Sequence, residues 1–112
     1  MMIERKDRRF EVELAAEVDV QGEVLLAATR NLSRGGVCLD VERPLTEGEP
    51  LDLSLFLTLD GIEEADTDAL SVRATVVWCS EREEEGFTAG LQFGALNPSD
   101  AAMVERFLAR LG

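Results

Sequence analysis

The sequence predicts an all-β dominated fold: a six-stranded antiparallel β-barrel with one C-terminal α-helix packed against it. Three observations carry this. Apolar residues alternate strictly with polar ones in short runs between residues 11 and 94. Gly, Pro and acidic turn signals separate the runs at near-regular spacing. After residue 97 the apolar period changes from 2 to about 3.6 residues.

The first strand is expected over Glu11 to Val20. Val12, Leu14, Ala16, Val18 and Val20 share one face, and Glu11, Glu13, Glu17 and Asp19 the other. Gln21-Gly22 reads as a tight hairpin turn, and Glu23 to Arg30 as the returning strand. Val37, Leu39 and Val41, alternating with Cys38 and Asp40, give a third strand. Pro44 and Glu47 to Pro50 mark a loop. Leu51, Leu53, Leu55 and Leu57 form the inward face of a fourth strand. The acidic stretch Asp60 to Asp68 is expected to be a solvated loop. Leu70, Val72, Ala74, Val76 and Trp78 form the apolar face of a fifth strand. Ser80 to Gly86, "SEREEEG", is an acidic hairpin tip, and Phe87, Ala89, Leu91 and Phe93 face inward from a sixth strand. Ala101, Val104, Phe107, Leu108 and Leu111 recur at helical spacing, with Asn97 as cap, Pro98 in the first turn and Asp100 at the positive helix start. The division is one domain over 1–112: a flexible N-terminal segment 1–10, a barrel 11–94 and a helix 98–111.

At 112 residues and 46% hydrophobic, the chain can bury one modest core. No apolar run reaches the ~18–20 residues of a membrane span, so membrane insertion is not expected. The N-terminus is charged, not apolar, and the expectation is a cytoplasmic protein. Cys38 and Cys79 are too few for a disulfide framework and lack metal-ligand spacing, so both are read as small, reduced core residues and no metal or cofactor is expected. The chain has no histidine, which removes Ser-His and Cys-His nucleophiles. No carboxylate pair is marked out as an acid-base couple, so an enzyme is not expected. A net charge of −12 opposes binding to DNA or RNA, which draws on a broad positive surface. Yet six of the eleven Lys and Arg residues fall in two short stretches, "RKDRRFEV" (Arg5 to Val12) and "TRNLSRGG" (Thr29 to Gly36). A local basic site of this kind can hold a small anion, because salt screens distant charges beyond about 8 Å.

In the second stretch, Asn31 and Ser33 offer short polar side chains to backbone or ligand. Gly35 and Gly36 permit positive φ or close approach. Taken alone, "NLSRGG" is a strand-to-strand turn. Together with Arg5-x-x-x-Arg9 it resembles the two-part signature of PilZ domains, bacterial receptors for cyclic di-GMP: RxxxR followed by [D/N]xSxxG. "ATVVWC" and "TAGLQF" resemble that family's last two strands, and the closing helix has its usual place. The resemblance implies a cyclic di-GMP site made by Arg5, Arg9, Asn31, Ser33 and Gly36, with Gly36 serving backbone geometry. Arg8, Arg30 and Arg34 are candidates for secondary contacts. Arginine suits this ligand because its planar fork matches phosphate oxygens and the guanine O6/N7 edge and can stack on a base. Glu4 stands where some members carry a further arginine that accompanies a stacked ligand pair, which favours a single ligand here. The implied function is a receptor that changes shape and signals to an unidentified protein effector; motility, adhesion and development all remain open as its pathway. The alternative is a PilZ-fold interaction adaptor, motility or pilus related, that acts without nucleotide.

Overall fold

The computed structural model describes residues 8–57 and 69–112. Seven strands and one helix follow in order: β1 (Phe10–Glu11), β2 (Ala15–Val20), β3 (Glu23–Leu32), β4 (Gly36–Val41), β5 (Pro50–Phe56), β6 (Ala69–Glu81), β7 (Phe87–Phe93) and α1 (Pro98–Leu111). All pairings are antiparallel. The six longer strands run β3-β2-β5-β6-β7-β4, and β4 pairs back with β3, so the sheet closes into a six-stranded barrel. The two-residue β1 adds to β3, with Phe10 opposite Leu32 and Glu11 opposite Asn31. Closure leaves no long unpaired edge.

The alternating positions fill the barrel. Val18, Leu39, Leu53, Leu55, Leu70, Ala74, Val76 and Leu91 belong to one continuous core, which Val104, Phe107 and Leu108 of α1 join. Burying each such leucine or phenylalanine contributes roughly 1.5–3 kcal/mol. The helix starts as expected: the Asn97 side chain accepts from the Asp100 N–H at 2.7 Å, and Pro98 occupies the first turn. Gln21 (φ 53°) and Gly22 (φ 89°) form the β2–β3 turn, both left-handed as a two-residue type I′ connection requires. The Asp19 carboxylate accepts from the Gly22 N–H at 2.9 Å. Among the described residues no helix is long and apolar enough to cross a membrane.

Alternation misjudged several details. The expected first strand is interrupted at residues 12–14. There the buried Thr29 hydroxyl replaces ladder bonds, accepting from the Leu14 N–H (2.8 Å) and donating to the Val12 carbonyl (2.6 Å). The second strand continues past Arg30 to Leu32, so Asn31 is a strand residue and not part of a loop. Trp78 does not share the inward face of Val76. The β6–β7 register shifts between them, leaving Val77 without a partner, and both Val77 and Trp78 turn outward. Cys38 is buried as expected, but it alternates with the inward Val37 and Leu39 and stands outside the barrel's main cluster. Both cysteines are free. The expected loop 60–68 and segment 1–7, with Arg5, lie outside the described residues.

Candidate functional site

The turn between β3 and β4 is held by its own backbone. The Ser33 N–H donates to the Gly36 carbonyl at 2.9 Å, and the Ser33 hydroxyl reaches the same oxygen at 3.3 Å. Ser33 is buried, so its hydroxyl shapes the turn. Gly35 and Gly36 do not use positive φ. The need at Gly36 is close approach: a Cβ there would sit 2.3 Å from the Leu91 carbonyl oxygen of β7, so a side chain would force β4 and β7 apart. The Gly35 carbonyl accepts from the Phe93 N–H at 2.9 Å and ties the turn to β7.

A second register shift lies in β3 itself. Thr29 pairs with Leu39 and Asn31 with Cys38, so Arg30 is the extra residue. Arg30 and Asn31 therefore both emerge on the outer surface. Arg9 precedes β1, which lies beside this part of β3, and its Nη1 donates to the Asn31 Oδ1 at 2.9 Å. The structure thus joins one residue from each basic stretch, 22 positions apart. One guanidinium N–H is used here, and among the described residues no further hydrogen bond or ion pair occupies the exposed fork.

Beside this pair runs a groove of about 340 Å³, with Arg9, Ser33 and Gly36 on one side and Trp78, Gly90 and Gln92 on the other. Cross-strand pairing explains the arrangement. Asn31 lies opposite Cys38, Cys38 opposite Gly90, and Gly90 opposite Trp78, a row running across four strands of the outer surface. Gly90 leaves the middle of the row low. A Cβ there would lie 2.2 Å from the Trp78 Nε1, so the indole rests on bare β7 backbone. Trp78 remains 38% exposed, presenting an aromatic surface to the groove.

Three further candidate arginines, Arg8, Arg30 and Arg34, are already engaged. The Arg30 Nε meets the Asp40 Oδ1 at 2.8 Å, and Asp40 also accepts from the Thr88 hydroxyl at 2.8 Å and faces Arg82 at 3.8 Å. Arg34 bonds Glu105 of α1, and the Arg8 guanidinium lies 4.7 Å from the Phe10 ring centroid. These exposed pairs contribute little stability, about 0–1 kcal/mol each. They do set where the charges stand. Beneath them, burial pushes the Cys38 thiol up, with Arg30 and Arg9 acting in the opposite sense. A site with an aromatic surface, an exposed guanidinium fork and glycine-lined backbone can take a flat, anionic, hydrogen-bonding ligand.

Sequence reasoning missed Trp78 and Gly90 as groove residues. Two signals were present. "VVW", Val76 to Trp78, breaks alternation with three apolar residues in a row, and an isolated glycine inside "TAGLQF" marks a close approach.

No curated protein matches this sequence. Among solved structures the chain is similar to the PilZ domain with c-di-GMP of YcgR from Escherichia coli, with TM-score 0.77 and 16% identity over 96% of this chain and 90% of that one. It is also similar to the Bacillus subtilis inhibitor of motility MotI/DgrA, with TM-score 0.78 and 21% identity over 97% of this chain and 51% of that one. A third similarity is to the MrkH–c-di-GMP complex of K. pneumonia, with TM-score 0.74 and 18% identity over 98% of this chain and 53% of that one. The chain therefore spans about half the length of MotI/DgrA and of MrkH. At these identities the likeness is one of fold. The PilZ domain model matches residues 3–110, nearly the whole sequence, and with the closed barrel and terminal helix in place the chain belongs to the PilZ domain family.

Proposed function

We propose that this chain is a receptor for cyclic di-GMP that passes the signal to a protein effector. The observation that carries the reading is the Arg9–Asn31 hydrogen bond at the edge of the Trp78 groove, which brings the two halves of the signature to one place. Arg9 supplies a fork for guanine or phosphate. Asn31 holds that fork and offers its own amide, while Trp78 gives a base a surface to stack on. Gly36 and Ser33 act through the backbone they shape. Arg5, four positions before Arg9, completes the clasp. Arg30 and Arg34 are already paired with Asp40 and Glu105, so their part is secondary. Family membership and the similarity to PilZ domains solved with c-di-GMP support the same ligand.

Titration calorimetry with cyclic di-GMP, GMP and GTP tests this. Selective binding of cyclic di-GMP is expected, with Kd on the order of micromolar, about −8 kcal/mol. No heat near millimolar ligand sinks the receptor reading and leaves the nucleotide-independent adaptor.

A further inference from the structure

Among the described residues four large apolar side chains are exposed: Val77 and Trp78 at the groove, and Val24 (55%) and Leu26 (72%) on the β2–β3 hairpin. Isolated exposed apolar residues are ordinary. Val24 and Leu26 are not isolated, since they stand two residues apart on the same face of β3, and no described residue covers them. Their surroundings are acidic. Asp19 lies opposite Val24 and Glu17 opposite Leu26 on β2. On the other side of Leu26, a hollow of about 680 Å³ is lined by Ala28, Asp40, Glu42, Arg82 and Glu85. Asp40 is occupied by Arg30 and Thr88, and Arg82 by Asp40 and Glu84. Glu17, Glu42 and Glu85 form none of the ion pairs among the described residues.

We propose that the Val24–Leu26 stripe is a docking surface for a protein whose contact face carries apolar residues set among lysines and arginines. Charge selects this occupant. The chain has 23 acidic and 11 basic residues; two of the acidic and six of the basic lie in the two basic stretches, leaving 21 against five elsewhere. An acidic rim repels anionic lipid and nucleic acid. It equally repels a second copy of a chain of net charge −12. A basic protein surface gains attraction at the rim while its apolar centre covers Leu26. The same strand carries Arg30 and Asn31 four and five residues beyond Leu26, on the order of 16 Å at the rise of a strand. The docking surface and the ligand groove thus share β3. The proposal deepens the receptor reading, resting on its claim that the chain signals through a protein.

The test places the photo-crosslinking residue p-benzoylphenylalanine at Leu26, with a control at exposed Ala109 on α1, in cells of the source organism. Adducts are sequenced, and the captured protein is purified and titrated against the full chain. The expected result is an adduct at position 26 but not 109, to a peptide rich in Lys and Arg. Leu26→Ser and Glu42→Lys should each then weaken binding to that protein at least tenfold. The proposal is overturned by no adduct at 26 beyond that at 109, by an adduct to this chain itself, by an acidic or neutral adduct peptide, or by variants that bind within twofold of the parent. Cyclic di-GMP calorimetry on parent and Leu26→Ser runs alongside. Loss of nucleotide binding by the parent sinks the receptor reading and leaves the crosslinking result to be judged by itself.

Discussion

Along β4, β6 and β7, the inward and outward faces are built by opposite means. Inward, Val37, Leu39, Val72, Val76 and Leu91 follow the two-residue period and are almost inaccessible. Outward, the groove exists where that period fails: at the extra Arg30 in β3, at the extra Val77 in β6, and at Gly90, which has no side chain to fill the space. A regular strand can only present alternate residues. A bulge re-aims its neighbours: one brings Asn31 out beside Arg9 at the edge of the groove, and the other turns Trp78 into the groove's lining. The regular face supplies stability, and the proposed function assigns recognition to the irregular face. Substitutions on the two faces should therefore separate these properties.

The largest effect is expected inside. Leu39 is fully buried, and Leu39→Ala should lower unfolding free energy by roughly 2–5 kcal/mol. In urea denaturation the midpoint should fall with little change in slope. Protein that remains folded should bind cyclic di-GMP within about twofold of the parent. A large loss of affinity in fully folded Leu39→Ala would break the division between faces.

At Arg9 the pattern should reverse. Arg9→Lys keeps the charge but loses the fork to ligand, and should cost roughly 1.5–3 kcal/mol of binding, about ten- to 150-fold. Arg9→Ala should cost at least as much. Arg8→Ala removes the same charge one position away and should cost clearly less. Thermal melts of all three should match the parent. If Arg9→Lys binds like the parent, or Arg8→Ala loses as much as Arg9→Ala, the groove acts as a diffuse basic patch.

Trp78 sharpens the comparison because alternation assigns it to the core and the bulge assigns it to the surface. An inward tryptophan replaced by alanine costs roughly 3–5 kcal/mol of stability. At its observed position, Trp78→Ala should move the melt much less, while weakening ligand binding by roughly 1–3 kcal/mol through the lost stacking surface. It is the only tryptophan in the chain, so parent fluorescence should change on ligand addition and give the affinity directly. Unchanged fluorescence at saturating ligand would remove Trp78 from the site.

The smallest effect concerns Cys38. Its pKa is raised by burial, so the folded chain holds the thiol proton more tightly than the unfolded chain. The associated stability is complete below the ordinary thiol value and is lost as pH rises through the raised one. Denaturation midpoints should therefore decline on the alkaline side more in the parent than in Cys38→Ser. Iodoacetamide should modify Cys38 slowly at neutral pH, and more slowly still with ligand in the groove. Equal alkaline decline in both proteins would exclude the thiol as its cause.

The sequence by itself determined the inward face apart from Trp78, the Gln21-Gly22 turn and the helix. Each depends on a local rule: a period of two or 3.6, two left-handed turn residues, an asparagine cap. Its two basic stretches also marked the proposed ligand site, because that signal is residue identity and needs no geometry. Tertiary structure decided what lies between them. Whether Arg9 reaches Asn31 depends on β1 pairing beside β3. Whether Trp78 faces core or groove depends on one unpaired residue, Val77, in the β6–β7 register. Whether Gly36 and Gly90 serve φ or space depends on the Leu91 carbonyl and the Trp78 ring, which neighbouring strands bring against them. Register shifts and close approaches are properties of pairs of strands distant in sequence, so a single strand's alternation does not contain them.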